Sequence, residues 1–137
     1  MRYKEIRYNL FTLDEKYYLA HCISADAKMG AGIALEFTRQ HPCVKELRSQ
    51  DLEVGRCYRT KKVFNLVSKK VYYGKPTYES ITKCIEDMAQ QCPLEGVEFL
   101  GMPKIGCGLD RLSWGKVSEI VKNVFADQDI NIVICSI

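Results

Sequence analysis

Residues 17–40, YYLAHCISADAKMGAGIALEFTRQ, read as a strand, a glycine loop and a helix in succession. Tyr17–Ser24 is a mostly apolar run with the length of a strand buried in a sheet. The segment from Ala31 to Gln40 repeats apolar residues at helical spacing, with Ile33 and Phe37 on one face. A strand that turns through glycines into a helix is the basic unit of an α/β fold.

The rest of the chain repeats this alternation. Strands are predicted at Val63–Val67 and Val97–Met102, and at Ile130–Ile137, which is apolar enough to be covered on both faces. Strands alternating with helices predict an α/β sandwich with a largely parallel or mixed sheet, whose ligands bind where strands end. One predicted helix begins near Pro76, in its first turn, and its apolar residues on one face are Tyr78, Ile81, Ile85 and Met88. Another is capped by Ser113, and its apolar face consists of Trp114, Val117, Val121 and Val124.

Length and composition indicate one globular domain over residues 1–137, because 47% of the 137 residues are apolar, 27% are charged, and no linker or repeat interrupts them. The net charge of +3 is too small to indicate nucleic-acid binding by itself. No apolar run approaches the length of a membrane span, and the first ten residues have no signal-peptide pattern. We therefore expect a soluble cytoplasmic protein, nuclear as well if its source is eukaryotic, that does not associate with membranes.

Seven cysteines and two histidines argue against a metal centre, since no Cys-x-x-Cys pair is present. The odd cysteine count also argues against a disulfide framework. We expect reduced thiols, several of them packed as small core residues, and we expect neither a metal nor a cofactor.

Two glycine loops follow predicted strands. Met29-Gly-Ala-Gly-Ile33 opens the first helix, and Ile105-Gly-Cys-Gly-Leu-Asp110 leads to the helix at Trp114. Glycines let backbone N–H groups approach an anion closely, and a helix N-terminus favours negative charge. Either loop alone fits a tight structural turn, and neither has the phosphate-loop or dinucleotide fingerprint. The pair at two strand ends predicts a diphosphate ligand held from both sides.

A basic stretch from Val54 to Tyr78 contains no Asp or Glu. It fits an edge hairpin whose lysines block pairing with other chains, and it also fits a surface for phosphates or nucleic acid with tyrosines available for stacking. Its cations are Arg56, Arg59, Lys61, Lys62, Lys69, Lys70 and Lys75, and its tyrosines are Tyr58, Tyr72, Tyr73 and Tyr78.

Candidates for catalysis are few. His21 and Cys22 lie in an apolar strand and are expected in the core, while Cys107 has no evident histidine partner. A partly buried lysine near a carboxylate can become a nucleophile toward an aldehyde or hemiacetal carbon, and Asp110 is a candidate carboxylate. The residue pattern does not choose among Lys69, Lys70 and Lys75.

Five motifs resemble the macro domain family over essentially the whole chain, and more narrowly its terminal ADP-ribose protein glycohydrolase branch. The resemblance implies a three-layer α/β/α sandwich around a mixed central sheet, with ADP-ribose bound in a cleft. The motifs are Ala20-His-Cys-Ile-Ser24, Met29-Gly-Ala-Gly-Ile-Ala34, Ser68-Lys-Lys70, Lys75-Pro-Thr-Tyr-Glu79 and Met102-Pro-Lys-Ile-Gly-Cys-Gly-Leu-Asp-Arg-Leu112.

The resemblance also implies a set of site residues. Lys69 would attack C1″ of the distal ribose, and Asp110 would act as acid and base. Asn9 stands where many macro domains have an acidic residue for the adenine amino group, and Lys104 stands where near relatives have arginine. The other implied ligand contacts are Leu10, Ser24, Gly30, Gly32, Ile33, Ile105, Gly106, Cys107, Gly108, Leu109 and Ile137.

The function implied by the resemblance is removal of mono-ADP-ribose from acidic side chains of proteins, with O-acyl-ADP-ribose esters as further substrates. One alternative is removal of ADP-ribose from nucleic acid, for which the Arg56–Lys75 region would be the contact surface. Another is a non-catalytic ADP-ribose reader, although a reader has no need of both Lys69 and Asp110. The family usually works as a monomer.

Overall fold

The structure is a computed structural model that describes residues 1–107 and 111–137. Within those residues a sheet is formed by β1 (Arg2–Arg7), β2 (Tyr18–Ser24), β3 (Cys57–Thr60), β4 (Val63–Lys69), β5 (Phe99–Met102) and β6 (Asn131–Ser136). The helices that flank it are α1 (Gly32–Gln40), α2 (Tyr78–Leu94) and α3 (Trp114–Phe125). Leu10–Thr12 and Pro42–Ser49 are 3₁₀ segments.

The sheet is mixed and covered on both faces. Its strand order is β1-β6-β5-β2-β4-β3, with every neighbouring pair parallel except β3 and β4. Along β4, Phe64 and Leu66 pack in one cluster with α2 and α3, whereas Val63 and Val67 pack in a second cluster with α1. Alternate residues of a strand point to opposite faces, so helices lie on both sides of the sheet. The predicted three-layer α/β/α sandwich is confirmed.

The predicted strands agree with the structure to within two residues at each end. The apolar run at the C-terminal end forms β6, which lies between β1 and β5. Ile132 and Ile134 belong to the first cluster, and Val133 and Cys135 belong to the second. This strand is therefore buried on both faces, which explains why its sequence is continuously apolar instead of alternating.

Two helix starts differ in detail from the prediction. Thr77 is the N-cap of α2, where its hydroxyl accepts from the Ser80 N–H at 3.0 Å and the Ser80 hydroxyl accepts from the Thr77 N–H at 3.0 Å. Pro76 thus precedes the N-cap. The prediction that it lies in the first turn of the helix is wrong. Ser113 does occupy the N-cap of α3, but its side chain makes no capping hydrogen bond. The buried face of α3 ends with Phe125, while Val124 is only partly buried.

Three elements were not among the predicted strands and helices. β1 is an edge strand whose charged residues are exposed, so it lacks the apolar run that marks a central strand. β3 spans only four residues at the opposite edge. The 3₁₀ segment Pro42–Ser49 follows α1 directly and buries Val44 and Leu47 in the second cluster.

His21 is a core residue, as predicted. Its side chain is fully buried, and Nε2 donates to Oδ1 of Asn65 at 2.6 Å. The imidazole stacks on Phe37 with ring centroids 3.9 Å apart. Burial lowers the pKa of His21 to about 4, so the ring is neutral near pH 7 and serves packing, not proton transfer.

All seven cysteines lie in the described residues, and none of them forms a disulfide. Burial raises the pKa of Cys57, Cys84, Cys92 and Cys135, so these thiols stay protonated and unreactive near neutral pH. Cys22 was expected in the core, but it is only partly buried and also lines the cavity described below. Over the described residues, helices are too short or too polar to cross a lipid bilayer.

Candidate functional site

Two adjoining cavities open where the parallel strands end. The first has a volume of about 520 Å³ and lies between the loop after β2 and the loop after β5. The second, of about 620 Å³, lies beside the ends of β1 and β6. Ile33, Pro103 and Lys104 line both cavities, so together they form one elongated cleft. The two glycine loops thus meet at the carboxyl edge of the sheet, where the sequence placed the ligand.

The first glycine loop has an unusual backbone. Ala27 and Met29 have φ of 53° and 47°, a region that non-glycine residues seldom adopt. Both side chains are nevertheless buried in the second cluster, and this packing anchors the loop to the core. Gly30 faces open space in the cavity, and Gly32 begins α1 with φ of 58°. A strained backbone fixed by packing keeps this loop in one conformation at the wall of the first cavity.

Asp26 connects this loop to the segment that follows β4. One carboxylate oxygen accepts from the Ser24 hydroxyl and from the Lys28 N–H at 3.3 Å, while the other accepts from the Tyr72 N–H at 3.0 Å. Although burial opposes ionisation, these donors lower the pKa of Asp26 below its ordinary value. Ser24 lines the first cavity, and its hydroxyl is directed to Asp26.

Arg48 holds the same loop from its carbonyl side. Its Nε donates to the Ala27 carbonyl at 3.2 Å, and its Nη2 donates to the Lys28 carbonyl at 3.0 Å. A planar guanidinium can bridge two adjacent carbonyls in this way, whereas a lysine cannot. Asp26 and Arg48 thus satisfy the backbone donors and acceptors of a turn that has no regular secondary structure.

We expect the change Asp26→Ala to weaken binding of ADP-ribose, the ligand that the resemblance implies, about tenfold, since charge-assisted hydrogen bonds that order the loop are lost. Asp26→Asn keeps one oxygen for Ser24 and Lys28 and loses the acceptor for Tyr72, so its loss should be smaller. Calorimetric titration with ADP-ribose, beside urea unfolding of each variant, separates loop ordering from global stability.

Asp14 provides a matched control for Asp26, because its carboxylate accepts the Lys16 N–H at 2.9 Å in a turn of the same type but lines neither cavity. Asp14→Ala should bind ADP-ribose like the wild-type protein. Equal affinity of Asp26→Ala and the wild-type protein would show that the loop keeps its shape without this carboxylate.

The second loop approaches the cavity through Pro103–Gly106. Gly106 has φ of 75°, which strains any other residue, and a Cβ there would lie 2.9 Å from Ile81 Cδ1, so the Ile81 side chain would have to shift. Cys107 is partly buried, with its thiol 3.2 Å from the carbonyl oxygen of Ile105. Gly108, Leu109 and Asp110, which were predicted as site residues, lie outside the described residues.

The structure distinguishes the three lysines that the residue pattern left open. Lys69 ends β4, is half-buried and lines the first cavity, whereas Lys70 and Lys75 are exposed and line neither cavity. The pairing of β2 with β4 shifts here: Ile23 pairs with Val67, but Ser24 pairs with Lys69. Irregularities of this kind redirect a side chain and are common beside active sites.

The first cavity is cationic. Lys28, Lys69 and Lys104 line it, and none of its described lining residues is acidic. An apolar cleft with a few converging cations suits a ligand that has both ring systems and phosphates. Over residues 1–107 and 111–137, no group of His, Cys, Asp and Glu is placed to hold a metal ion.

Known proteins with similar sequences include ADP-ribose glycohydrolases. The chain is 41% identical over 133 residues to ADP-ribose glycohydrolase OARD1 of Homo sapiens and of Bos taurus, and each match covers 94% of this chain and 88% of the relative. This chain belongs to the ADP-ribose glycohydrolase branch of the macro domain family. No protein-family model matches it.

Solved macro domains confirm the fold. The macrodomain of Mycobacterium tuberculosis DarG superimposes with a TM-score of 0.89 at 19% identity, covering 98% of this chain and 97% of that one. Thermosipho africanus DarTG in complex with ADP-ribose gives a TM-score of 0.84 at 18% identity, covering 98% of this chain and 41% of that one. At these identities the likeness establishes the fold alone.

The second cavity contains the residues predicted at the adenine end of this macro domain. Asn9 Oδ1 accepts from the Phe11 N–H at 3.0 Å, so it caps the 3₁₀ turn and has one lone pair left for another donor. Leu10 is buried beneath the cavity, whereas Ile137 is exposed at its rim. Lys104 lies where the two cavities join.

Part of the basic stretch is structural in this macro domain. It forms the β3–β4 hairpin at the sheet edge, as one of the two interpretations predicted. Arg56 Nε lies 3.4 Å from the Asp87 carboxylate, and Arg59 Nη2 lies 3.1 Å from the Glu95 carboxylate. These ion pairs offset part of the positive charge of the hairpin, so the number of Lys and Arg residues in the basic stretch overstates its net charge in the folded protein.

Sequence reasoning missed Asp26 and Arg48, which shape the site, and noted Tyr72 only as a stacking residue of the basic stretch. Asp26 and Tyr72 are far apart in sequence and meet only because β2 and β4 are neighbours in the sheet. Arg48 belongs to a 3₁₀ segment that was not predicted. The available hint was Asp26 itself, because Ser-x-Asp after a strand is a common start for a side-chain-capped turn.

Proposed function

We propose that this macro domain hydrolyses the bond between ADP-ribose and the carboxylate side chains of proteins, with Lys69 as the nucleophile. The observation that carries the proposal is the position of Lys69, which is half-buried at the end of β4 in the first cavity. The similarity to ADP-ribose glycohydrolase OARD1 supports hydrolysis of a glycosidic bond of ADP-ribose.

In this proposal the ligand lies along the elongated cleft. Adenine occupies the second cavity near Asn9 and Phe11, and the diphosphate lies between the two glycine loops. Lys104 is close to the diphosphate at the junction, and the distal ribose points to Lys69. The fixed N–H groups of the first loop supply neutral donors for the phosphates, which is how helix-opening loops generally bind anions.

The reaction begins when the neutral Nζ of Lys69 attacks C1″ of the distal ribose. The bond from C1″ to the ester oxygen breaks, and its electron pair leaves with the substrate carboxylate. Asp110, which lies outside the described residues, takes the proton from the attacking nitrogen. The C1″–O4″ bond then breaks as the nitrogen loses its remaining proton and O4″ gains one, which opens the sugar ring and leaves an imine between Lys69 and C1″. Water adds to C1″, the C1″–N bond breaks to release the amine and an aldehyde, and O4″ closes the ring again, so one water is consumed and free ADP-ribose is formed.

The same attack applies to O-acyl-ADP-ribose esters with an acyl group at C1″, because the leaving group is again a carboxylate. A non-catalytic reader would need only the cleft and not a buried lysine directed into it. Neither alternative changes which residues bind the diphosphate, so binding alone does not distinguish them from the proposed hydrolase.

The test is release of ADP-ribose from a peptide modified on glutamate, compared with the same peptide modified on serine. We expect release from the glutamate ester only, because a serine alkoxide is a much poorer leaving group than a carboxylate. Reduction with cyanoborohydride during turnover should also trap an adduct on Lys69, identified by mass spectrometry of the digested protein.

Two results would contradict the proposal. Tight binding of ADP-ribose without release from the glutamate peptide would identify a reader. Release of ADP-ribose with the trapped adduct on another lysine would support the hydrolase activity and contradict the assignment of Lys69 as the nucleophile.

A further inference from the structure

Tyr72 and Tyr73 form an exposed aromatic pair beside the catalytic end of the cleft. Tyr72 is 53% exposed and lines the first cavity with Lys69, and Tyr73 is 76% exposed. Their rings meet edge to face with centroids 5.2 Å apart. Large aromatic side chains on a protein surface are typical of places where another molecule binds.

The pair is held in place by neighbouring residues. The Tyr72 N–H donates to Asp26 at 3.0 Å, and Lys28 Nζ lies 4.7 Å from the centre of the Tyr72 ring. Ordered aromatic residues lose little conformational entropy when a partner binds, so an exposed pair of this kind is a favourable contact. We use the term tyrosine platform for Lys28, Lys70, Tyr72 and Tyr73.

The tyrosine platform is positively charged. Lys28 and Lys70 are both exposed, and the carboxylate of Asp26, which accepts the Tyr72 N–H, has its oxygens directed to Ser24 and to backbone N–H groups. We propose that the tyrosine platform binds the polypeptide that carries the ADP-ribosyl group and favours acidic residues next to the modified glutamate. This inference rests on the proposed function and adds a preference for the sequence around the scissile bond.

Two observations favour an acidic peptide over a nucleic acid as the partner. One face of Tyr72 is covered by Lys28, which leaves less ring surface for a base to stack on. Arg56 and Arg59 are paired with carboxylates, which reduces the positive charge that the hairpin offers to a phosphate backbone. A short acidic segment needs only the few cations that are present.

The experiment uses two glutamate-ADP-ribosylated peptides, one flanked by Asp and Glu and the other by Asn and Gln. We expect the wild-type protein to show a KM for the acidic peptide about tenfold lower than for the neutral one, with the same kcat. Tyr73→Ala should raise the KM for the acidic peptide about fivefold, whereas Tyr73→Phe, which keeps the ring, should not. Lys70→Glu should reverse the preference between the two peptides.

Free ADP-ribose serves as the internal control, because Tyr73 lines neither cavity and the ligand has no peptide to contact it. Its affinity should be the same in the wild-type protein and in Tyr73→Ala. Leu94→Ala, at an equally exposed apolar residue on α2, should keep the wild-type preference.

Equal KM values for the two peptides in the wild-type protein would overturn the tyrosine platform while leaving the hydrolase proposal intact. Turnover of an ADP-ribosylated oligonucleotide that is faster than that of the acidic peptide, sensitive to salt and dependent on Tyr73 would also overturn the proposal. It would identify nucleic acid as the partner of the tyrosine platform. Absence of release from both peptides would contradict the proposed function. In that case, binding of the fluorescein-labelled, unmodified acidic peptide, compared between wild type and Tyr73→Ala, tests the platform alone.

Discussion

Lys69→Ala should lower the rate of ADP-ribose release from a glutamate-modified peptide by about 10³-fold or more, because the reaction loses its nucleophile. Affinity for free ADP-ribose should change far less, since the glycine loops and the second cavity remain intact. Single-turnover release and calorimetric titration on the same protein samples measure the two effects separately.

Lys69→Arg sharpens this prediction. Arginine keeps the positive charge but stays protonated at any working pH, so it cannot attack C1″. It should therefore be as inactive as Lys69→Ala. Lys75→Ala is the matched control, because Lys75 is an exposed lysine from the same basic stretch that lines neither cavity. Substantial activity in Lys69→Arg would mean that Lys69 acts by its charge alone.

Phe37→Ala should destabilise the fold by about 3–5 kcal/mol. Phe37 is fully buried on α1, where it stacks on His21 and meets Phe11 edge to face at 4.8 Å between centroids. Removing the ring leaves a cavity between α1 and the sheet directly below the residues that open the cleft. Urea unfolding monitored by circular dichroism measures the change in free energy of unfolding.

Phe99→Ala is a control for the same chemical change at a partly buried position on β5, where the ring contacts Tyr17. The loss in free energy of unfolding should be clearly smaller for Phe99→Ala than for Phe37→Ala, because a partly exposed ring buries less apolar surface. Equal losses at the two positions would contradict the expectation that the extent of burial sets the loss of stability.

The sequence was most informative where burial controls residue choice. β6 and β2 lie in the middle of the sheet and have helices on both sides, so their apolar runs could be recognised without knowing their partners. β1 could not, because an edge strand such as this one is defined by backbone hydrogen bonds to β6, and backbone bonds leave no pattern in residue type.

The candidate site was predictable only in part, for a related reason. The two glycine loops could be placed at strand ends from spacing alone, but the choice of Lys69 depends on which lysine the shifted pairing of β2 and β4 directs into the cavity. The contact between Asp26 and Tyr72 depends on tertiary structure in the same way. Such contacts follow from strand order, which local periodicity does not determine.

The pairing of β1 with β6 has a consequence for how the chain folds as it is made. The strands align from Arg2 with Asn131 to Arg7 with Ser136, so this edge of the sheet joins segments from opposite ends of the sequence. Contacts between such distant segments form slowly. On the ribosome, β1 must wait until β6 has been synthesised, and the second cavity forms only then.

During that interval β1 is an unpaired strand in solution. Its sequence, RYKEIR, carries charges at four of six positions, and strands with many charges resist pairing with other chains. The same charges that prevented the prediction of β1 from sequence would keep the growing chain from aggregating before β6 is synthesised.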